Sequence, residues 1–269
     1  MCYSNLFFRE GAMMKSYLSL LFLGSCIIVF APVVQAQGLT GHWEFEEGTG
    51  DIVGDSSGNN NNGTIFNGDV GGLGTGVNTV WFNDAERGKV ASFGGTANGA
   101  YILIDNDIPI MTLEQDFTWA FWAKQAPGNG TNHIIFGNRH NVDRADFVPR
   151  QFIKFTPTKF EWHMNGNGND NLEYDDLPND VWIHHAVVKD GDLLVYYRDG
   201  VEANSRVITQ ALAEPQPLFI GGENTATAGE NWTGYIDDVR IYNVALSASG
   251  VAAVASGGTS FVPDWSLFK

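Results

Sequence analysis

The sequence predicts an all-β protein, two antiparallel sheets stacked as a sandwich or jelly roll, with one short helix near the C-terminus. From Gln37 onward, short runs rich in β-branched and aromatic residues alternate with clusters of Gly, Asn and Asp, the pattern of many strands joined by turns. About ten such runs occur and only one stretch has helical character, which excludes an α/β arrangement of alternating strands and helices.

In chain order, the first element is not part of the fold. Lys15 precedes an apolar run from Tyr17 to Val34, and the small-residue pattern Val34-Gln35-Ala36 follows, so residues 1–36 read as a secretory signal peptide cleaved after Ala36. Met14 is the expected start, which leaves residues 1–13 outside the translated chain. The apolar run is short for a bilayer span, so no membrane insertion is expected once the leader is removed. "LGSC" at 23–26 loosely resembles a lipoprotein box, but the apolar stretch continues beyond Cys26. The strands expected from there are "VASFGG", "AYILID", "FTWAFWAK", "HIIFGN", "FIKFT", "KFEWHM", "WIHHAVVKD", "LLVYYRDG", "PLFIGG" and "YIDDVRIY". The stretch "LSASGVAAVAS" is the helix, with Ser247 placed to cap it and Gly257-Gly258 to end it. One domain over residues 37–258 and a tail over 259–269 account for the chain.

Both cysteines, Cys2 and Cys26, fall inside the leader, so the exported chain must hold together without disulfides. Cleavage leaves 233 of the 269 residues, enough for one large domain with a substantial core. Removing Arg9, Lys15 and Glu10 with the leader leaves 13 basic against 30 acidic residues. Such a surface repels nucleic acid and suits cations or neutral ligands.

"DSSGNNNNGT", residues 55–64, suits either a turn-rich surface loop or a calcium loop, because Asp and Asn side-chain oxygens and inward-turned carbonyls are hard ligands. A local charge asymmetry stands out elsewhere. Arg139, Arg144, Arg150, Lys154 and Lys159 crowd into 21 positions of an acidic chain, with His140 and His163 nearby. This is where an anionic ligand is expected. Trp162 beside His163 would give a sugar ring an aromatic face, and Asn165, Asn169 and Asp170 in the following hairpin could meet its hydroxyls. Trp43, Trp119, Trp122 and Trp182 are expected in the core, and His184 and His185 are expected to point to opposite faces as satisfied structural residues.

Read together, "GHWEFEEGTGDIVGDSSGNNNNGT", "FTWAFWAK", "WIHHAVVKDGDLLVYYRDGVEA", "PLFIGG" and "GYIDDVRIYNVALSASGVAAV" resemble the bacterial laminin-G-like, concanavalin A-like jelly-roll family over roughly Gly38 to Ser256. The resemblance implies a sandwich whose first and last strands lie side by side, and a module that binds an extracellular glycan or another partner. It also implies a structural Ca²⁺ held by Asp55, Asn59 or Asn61, and Asp237, tying the start of the domain to its final strand. Asn60 stands where that family often has glycine.

Enzymes share this sandwich, but no E-x-D-x-E triplet of a retaining glycosidase is present, and Glu44 and Glu46 read as a solvated face. A lyase reading would need Arg139, His140, Arg144, Lys154 and Tyr174 in one groove, with the cations neutralising a uronate and Tyr174 moving protons. The expectation is therefore a secreted, calcium-stabilised, non-catalytic carbohydrate-binding module. A polysaccharide lyase or hydrolase, and a surface protein that adheres to another protein, are the alternatives.

Overall fold

The computed structural model describes residues 38–66, 80–95, 99–104, 113–139, 151–212, 217–222 and 230–258. Residues 1–36, expected to be a leader, residues 259–269, and His140, Arg144 and Arg150 of the basic stretch lie outside these residues.

Strands β1 (Leu39–Trp43), β2 (Ile52–Val53), β3 (Gly63–Phe66), β4 (Trp81–Asp84), β5 (Gly88–Gly94), β6 (Tyr101–Ile104), β7 (Phe117–Gln125) and β8 (Phe136–Gly137) make up the first half. They are followed by β9 (Gln151–Phe155), β10 (Lys159–Met164), β11 (Leu172–Glu173), β12 (Trp182–Asp190), β13 (Leu193–Arg198), β14 (Val201–Val207), β15 (Leu218–Ile220), β16 (Thr233–Tyr242) and helix α1 (Ala248–Ala255). Two antiparallel sheets result. The first has the order β14-β13-β12-β7-β16-β5-β4, with β1 also paired to β16; the second has the order β11-β10-β9-β8-β15-β6-β3-β2. The expected side-by-side placement of first and last strands is present, with His42 opposite Arg240 and Trp43 opposite Val239.

Alternation builds the core. Phe117, Trp119, Phe121 and Ala123 of β7 point between the sheets and meet Ile153, Phe155, Phe160 and Trp162 of β9 and β10. The opposite face of β7 and β12 is closed by α1, whose Val251 and Val254 join Leu246, Ala120, Ala186, Val188, Tyr197 and Tyr242 in a second apolar cluster. Buried on both faces there, these two strands read as continuous apolar runs rather than as alternating ones. The helix begins and ends where the sequence places it. Ser247 Oγ accepts from Gly250 N at 3.2 Å, and Gly257 at φ +81° turns the chain after Ala255.

Two expectations about packing are corrected. Trp122 and Trp182 lie on the outer face of the first sheet rather than in the core between the sheets, although Trp182 is buried there. There the Arg87 guanidinium sits over Trp122 at 4.3 Å and Trp182 at 5.4 Å, and Lys124 sits over Trp182 at 5.1 Å. His184 and His185 do face opposite ways, but both are buried, and His184 Nδ1 and His185 Nε2 have no hydrogen-bond partner among the described residues. Burial pushes His184 down to about 4 and His185 well below the usual imidazole range, so both are neutral.

Candidate functional site

The register of β9 against β10 places Glu161 opposite Lys154 and His163 opposite Phe152, all four on the outer face of the second sheet. Gly137 of β8 pairs with Lys154 from the other side, and a Cβ there would lie 2.5 Å from Lys154 Cβ, so only glycine leaves room for the lysine stem. Lys154, 2% exposed, donates to Glu230 Oε2 at 2.8 Å and Asn132 O at 3.0 Å, and lies 3.4 Å from Glu161 Oε2. Lys159 Nζ meets the other oxygen of Glu161 at 3.1 Å, and Arg139 pairs with Glu230. The His163 ring stacks on Phe152 with centroids 4.5 Å apart, and its Nε2 accepts from Gly166 N at 2.9 Å.

These side chains line a polar pocket of about 370 Å³, walled at the far end by Gly166, Gly168 and Asn171. Its three described cations are interleaved with two carboxylates, so what it offers is a fixed array of donors and acceptors rather than a bare positive patch. Glu230, just ahead of β16, escapes a search for basic clusters; the acidic partner that must accompany a buried lysine is the signal that could have found it.

The structure sorts the expected ligand-binding residues. Arg139 and His163 line this pocket. Trp162 does not: it is fully buried between the sheets, its Nε1 donating to Gln210 O at 2.7 Å, because the alternation that turns Glu161 and His163 outward turns Trp162 inward. Asn165 takes φ +51° in the hairpin turn after β10, beside the pocket wall but outside the lining. Asp170 faces inward, accepting from Thr209 N at 2.9 Å and Gln210 N at 2.8 Å. Tyr174 lines a separate pocket, and its hydroxyl is turned into the protein, its one proton shared between Thr156 O at 2.6 Å and Lys159 O at 2.9 Å. Burial pushes that phenol well above its usual range, so it is no proton shuttle for the pocket over β9 and β10.

The four expected calcium ligands are each held by other groups. Asp55 Oδ1 accepts from His42 N and Ser57 N, and Oδ2 from Ser57 Oγ and Asn61 N, at 2.8–2.9 Å, which takes up the acceptor capacity of the carboxylate. Asn59 and Asn61 turn their amide nitrogens to Thr40 O at 3.2 and 2.7 Å, and Asn61 O accepts from Trp43 Nε1. Asp237 instead meets Arg87, with Nε donating to Oδ2 at 2.6 Å. So arranged, these residues do not fit a calcium shell, and among the described residues no three His, Cys, Asp or Glu side chains form a metal site. The contact between β16 and β1 is made instead by Asp238. Its Oδ1 meets His42 Nε2 at 2.7 Å and Arg240 Nε at 2.8 Å. The bulge between Asp237 and Arg240, with Asp238 at φ +51°, turns the two neighbouring carboxylates to different partners.

Two stacked antiparallel sheets with a paired first and last strand and a polar pocket on an outer sheet face define a lectin-like sandwich. The chain belongs to the Laminin_G_3 family of the concanavalin A-like lectin/glucanases superfamily, which matches residues 94–252. Among solved structures, it is similar to domain 4 of AbnA, a GH43 extracellular arabinanase from Geobacillus stearothermophilus, in complex with arabinotriose. That match has 20% identity and a TM-score of 0.58, covering 81% of this chain and 98% of that one. It is also similar to the receptor binding domain of botulinum neurotoxin D, with 14% identity and a TM-score of 0.58 over 83% of this chain and 53% of that one. The binding domain of Paraclostridial Mosquitocidal Protein 1 matches at 17% identity and a TM-score of 0.56, over 82% of this chain and 52% of that one. At these identities the likeness is one of fold. No curated protein matches the sequence.

Proposed function

We propose that this chain is an exported, non-catalytic carbohydrate-binding domain that takes a sugar in the pocket over β9 and β10. The observation that carries the reading is the rigid alternation of Arg139, Lys154 and Lys159 with Glu161 and Glu230 around a His163 ring stacked on Phe152. Hydroxyl groups both donate and accept, so a wall of fixed cations and carboxylates suits them, while the stacked ring offers a flat surface to a sugar face. The two carboxylates offset two of the three described cations. That balance favours a neutral glycan over the anionic one expected from the basic residues alone. The arabinotriose bound by the AbnA domain supports a glycan as the ligand class. Calcium enters no step of this function.

The test is a glycan array probed with the folded protein and with His163→Ala and Glu161→Gln variants, followed by a reducing-end assay on every glycan retained. We expect retention of neutral glycans, loss of at least about tenfold in affinity for each variant, and no new reducing ends. Retention that survives both substitutions would move the site elsewhere, and new reducing ends would make the protein an enzyme.

A further inference from the structure

A second pocket, of about 440 Å³, lies where the edge strands of the two sheets meet, β11 in one and β14 in the other. It is lined by Glu173, Tyr174, Asp175, Arg198, Ala203 and Asn204. Internal bonds fix each wall. Arg198 Nη2 donates to Asp175 O at 2.6 Å and Nε to Tyr196 OH at 3.3 Å; among the described residues no carboxylate pairs with this guanidinium, and no bond is made by Nη1. Asn204 Nδ2 donates to Glu173 O at 2.6 Å. Tyr174 stacks on Tyr196 with centroids 4.2 Å apart and sends its hydroxyl away from the pocket, so the wall it contributes is the edge of a partly buried ring.

This pocket is not isolated from the first. Glu173 is the register partner of Lys159, and paired residues on neighbouring strands project from the same face. Lys159 lines the first pocket and Glu173 the second, so a single cross-strand pair separates them.

We propose that the two pockets are neighbouring subsites of one track along the β10–β11 edge, and that the ligand is a neutral polysaccharide chain rather than a single sugar. In the second subsite Arg198 Nη1 and the Asn204 amide face hydroxyls, the exposed carboxylates of Glu173 and Asp175 accept from them, and Tyr174 underlies a ring. A neutral chain is favoured because Glu173 and Asp175 offset the one guanidinium. The proposal rests on the reading of the first pocket for its ligand class, but on different residues. Two linked weak sites bind a chain more tightly than either binds a short fragment, because occupying the second is an intramolecular event.

The test is calorimetric titration with arabino-, xylo- and cello-oligosaccharides from the disaccharide to the octasaccharide. The proteins are the wild type, Asn204→Ala, Arg198→Lys and His163→Ala, each first shown to melt cooperatively. For the series that binds, we expect affinity to climb with chain length by at least about tenfold. Asn204→Ala and Arg198→Lys should remove that climb while leaving disaccharide affinity unchanged, and His163→Ala should weaken every length. Length-independent binding, or a climb that survives both substitutions at the second pocket, overturns the track while leaving the first pocket standing. If His163→Ala changes nothing and Asn204→Ala abolishes binding, the first pocket is wrong and the second is the site. Absence of binding by every series overturns both.

Discussion

Two neighbouring aspartates carry opposite burdens. Burial, opposed by the hydrogen bonds and charges of His42 and Arg240, leaves Asp238 at about 2, below the usual carboxylate range. Its pairing therefore contributes stability at neutral pH that is lost only as the pH falls from about 4 toward 2. Asp237 goes the other way. Burial pushes it up to about 6 in spite of Arg87, with Asp238 adding to the rise. A carboxyl raised on folding takes up a proton in the native state between about 6 and 4, so its contribution becomes more favourable as the pH falls through that window. We expect the stability difference between wild type and Asp237→Asn, followed by urea unfolding, to shift in favour of wild type from pH 7 to pH 5, with Arg87 and Asp238 beside the group in both proteins. A constant difference would contradict the assignment. For Asp55, whose four accepted bonds fold the loop around it and tie it to His42 of β1, Asp55→Ala should cost about 2 kcal/mol or more. The same loss in Ca²⁺ and in EDTA is expected; a loss seen only in Ca²⁺ would restore the metal. The sequence made Asp55 and Asp237 legible as important carboxylates but not their partners, because a one-residue bulge in β16 decides which aspartate faces β1, and no residue type announces a bulge.

At the level of elements, the ten strands legible in the sequence all bury residues. Of the others, β2, β3, β4 and β11 run for two to four residues, β14 is fully exposed, and β1 buries Thr40, Gly41 and Trp43 in a five-residue run broken by glycine. All seven residues of β14 are exposed, so "VEANSRV" carries no alternation to read, although it pairs along the whole of β13. The site was legible in part for the same reason. Alternation along "KFEWHM" turns either Trp162 or its neighbours outward, the sequence leaves both orientations open, and the core takes the largest ring. Gly137 tests how closely β8 must approach β9. Its substitution by Ala puts a methyl 2.5 Å from Lys154 Cβ and 2.7 Å from Ile153 O, which should cost about 1–3 kcal/mol and disturb the lysine network beside it. Gly128, with nothing within 4 Å of an added Cβ but a φ of +102°, is the comparison, since any loss there reflects backbone strain alone. A thermal melt that ranks Gly137→Ala no worse than Gly128→Ala would refute the packing argument.

The whole molecule closes its ends without a disulfide. The last strand lies between β7 and β5 and also pairs with β1, and the loop after β1 is hydrogen-bonded back onto that strand, so both ends of the domain are built into one sheet. The sandwich leaves the outer face of β9 and β10 to carry ion-paired, partly buried charge, an expensive arrangement for stability alone and one suited to holding polar groups in fixed positions. The most direct measurement is calorimetric titration of the folded chain with neutral and uronic oligosaccharides of matched length, alongside the His163→Ala variant. We expect saturable binding of a neutral series, weakened at least about tenfold by the substitution, and weak or no binding of the uronic series. Tight binding of uronic chains alone, or neutral binding untouched by the loss of His163, would contradict the assignment of this pocket.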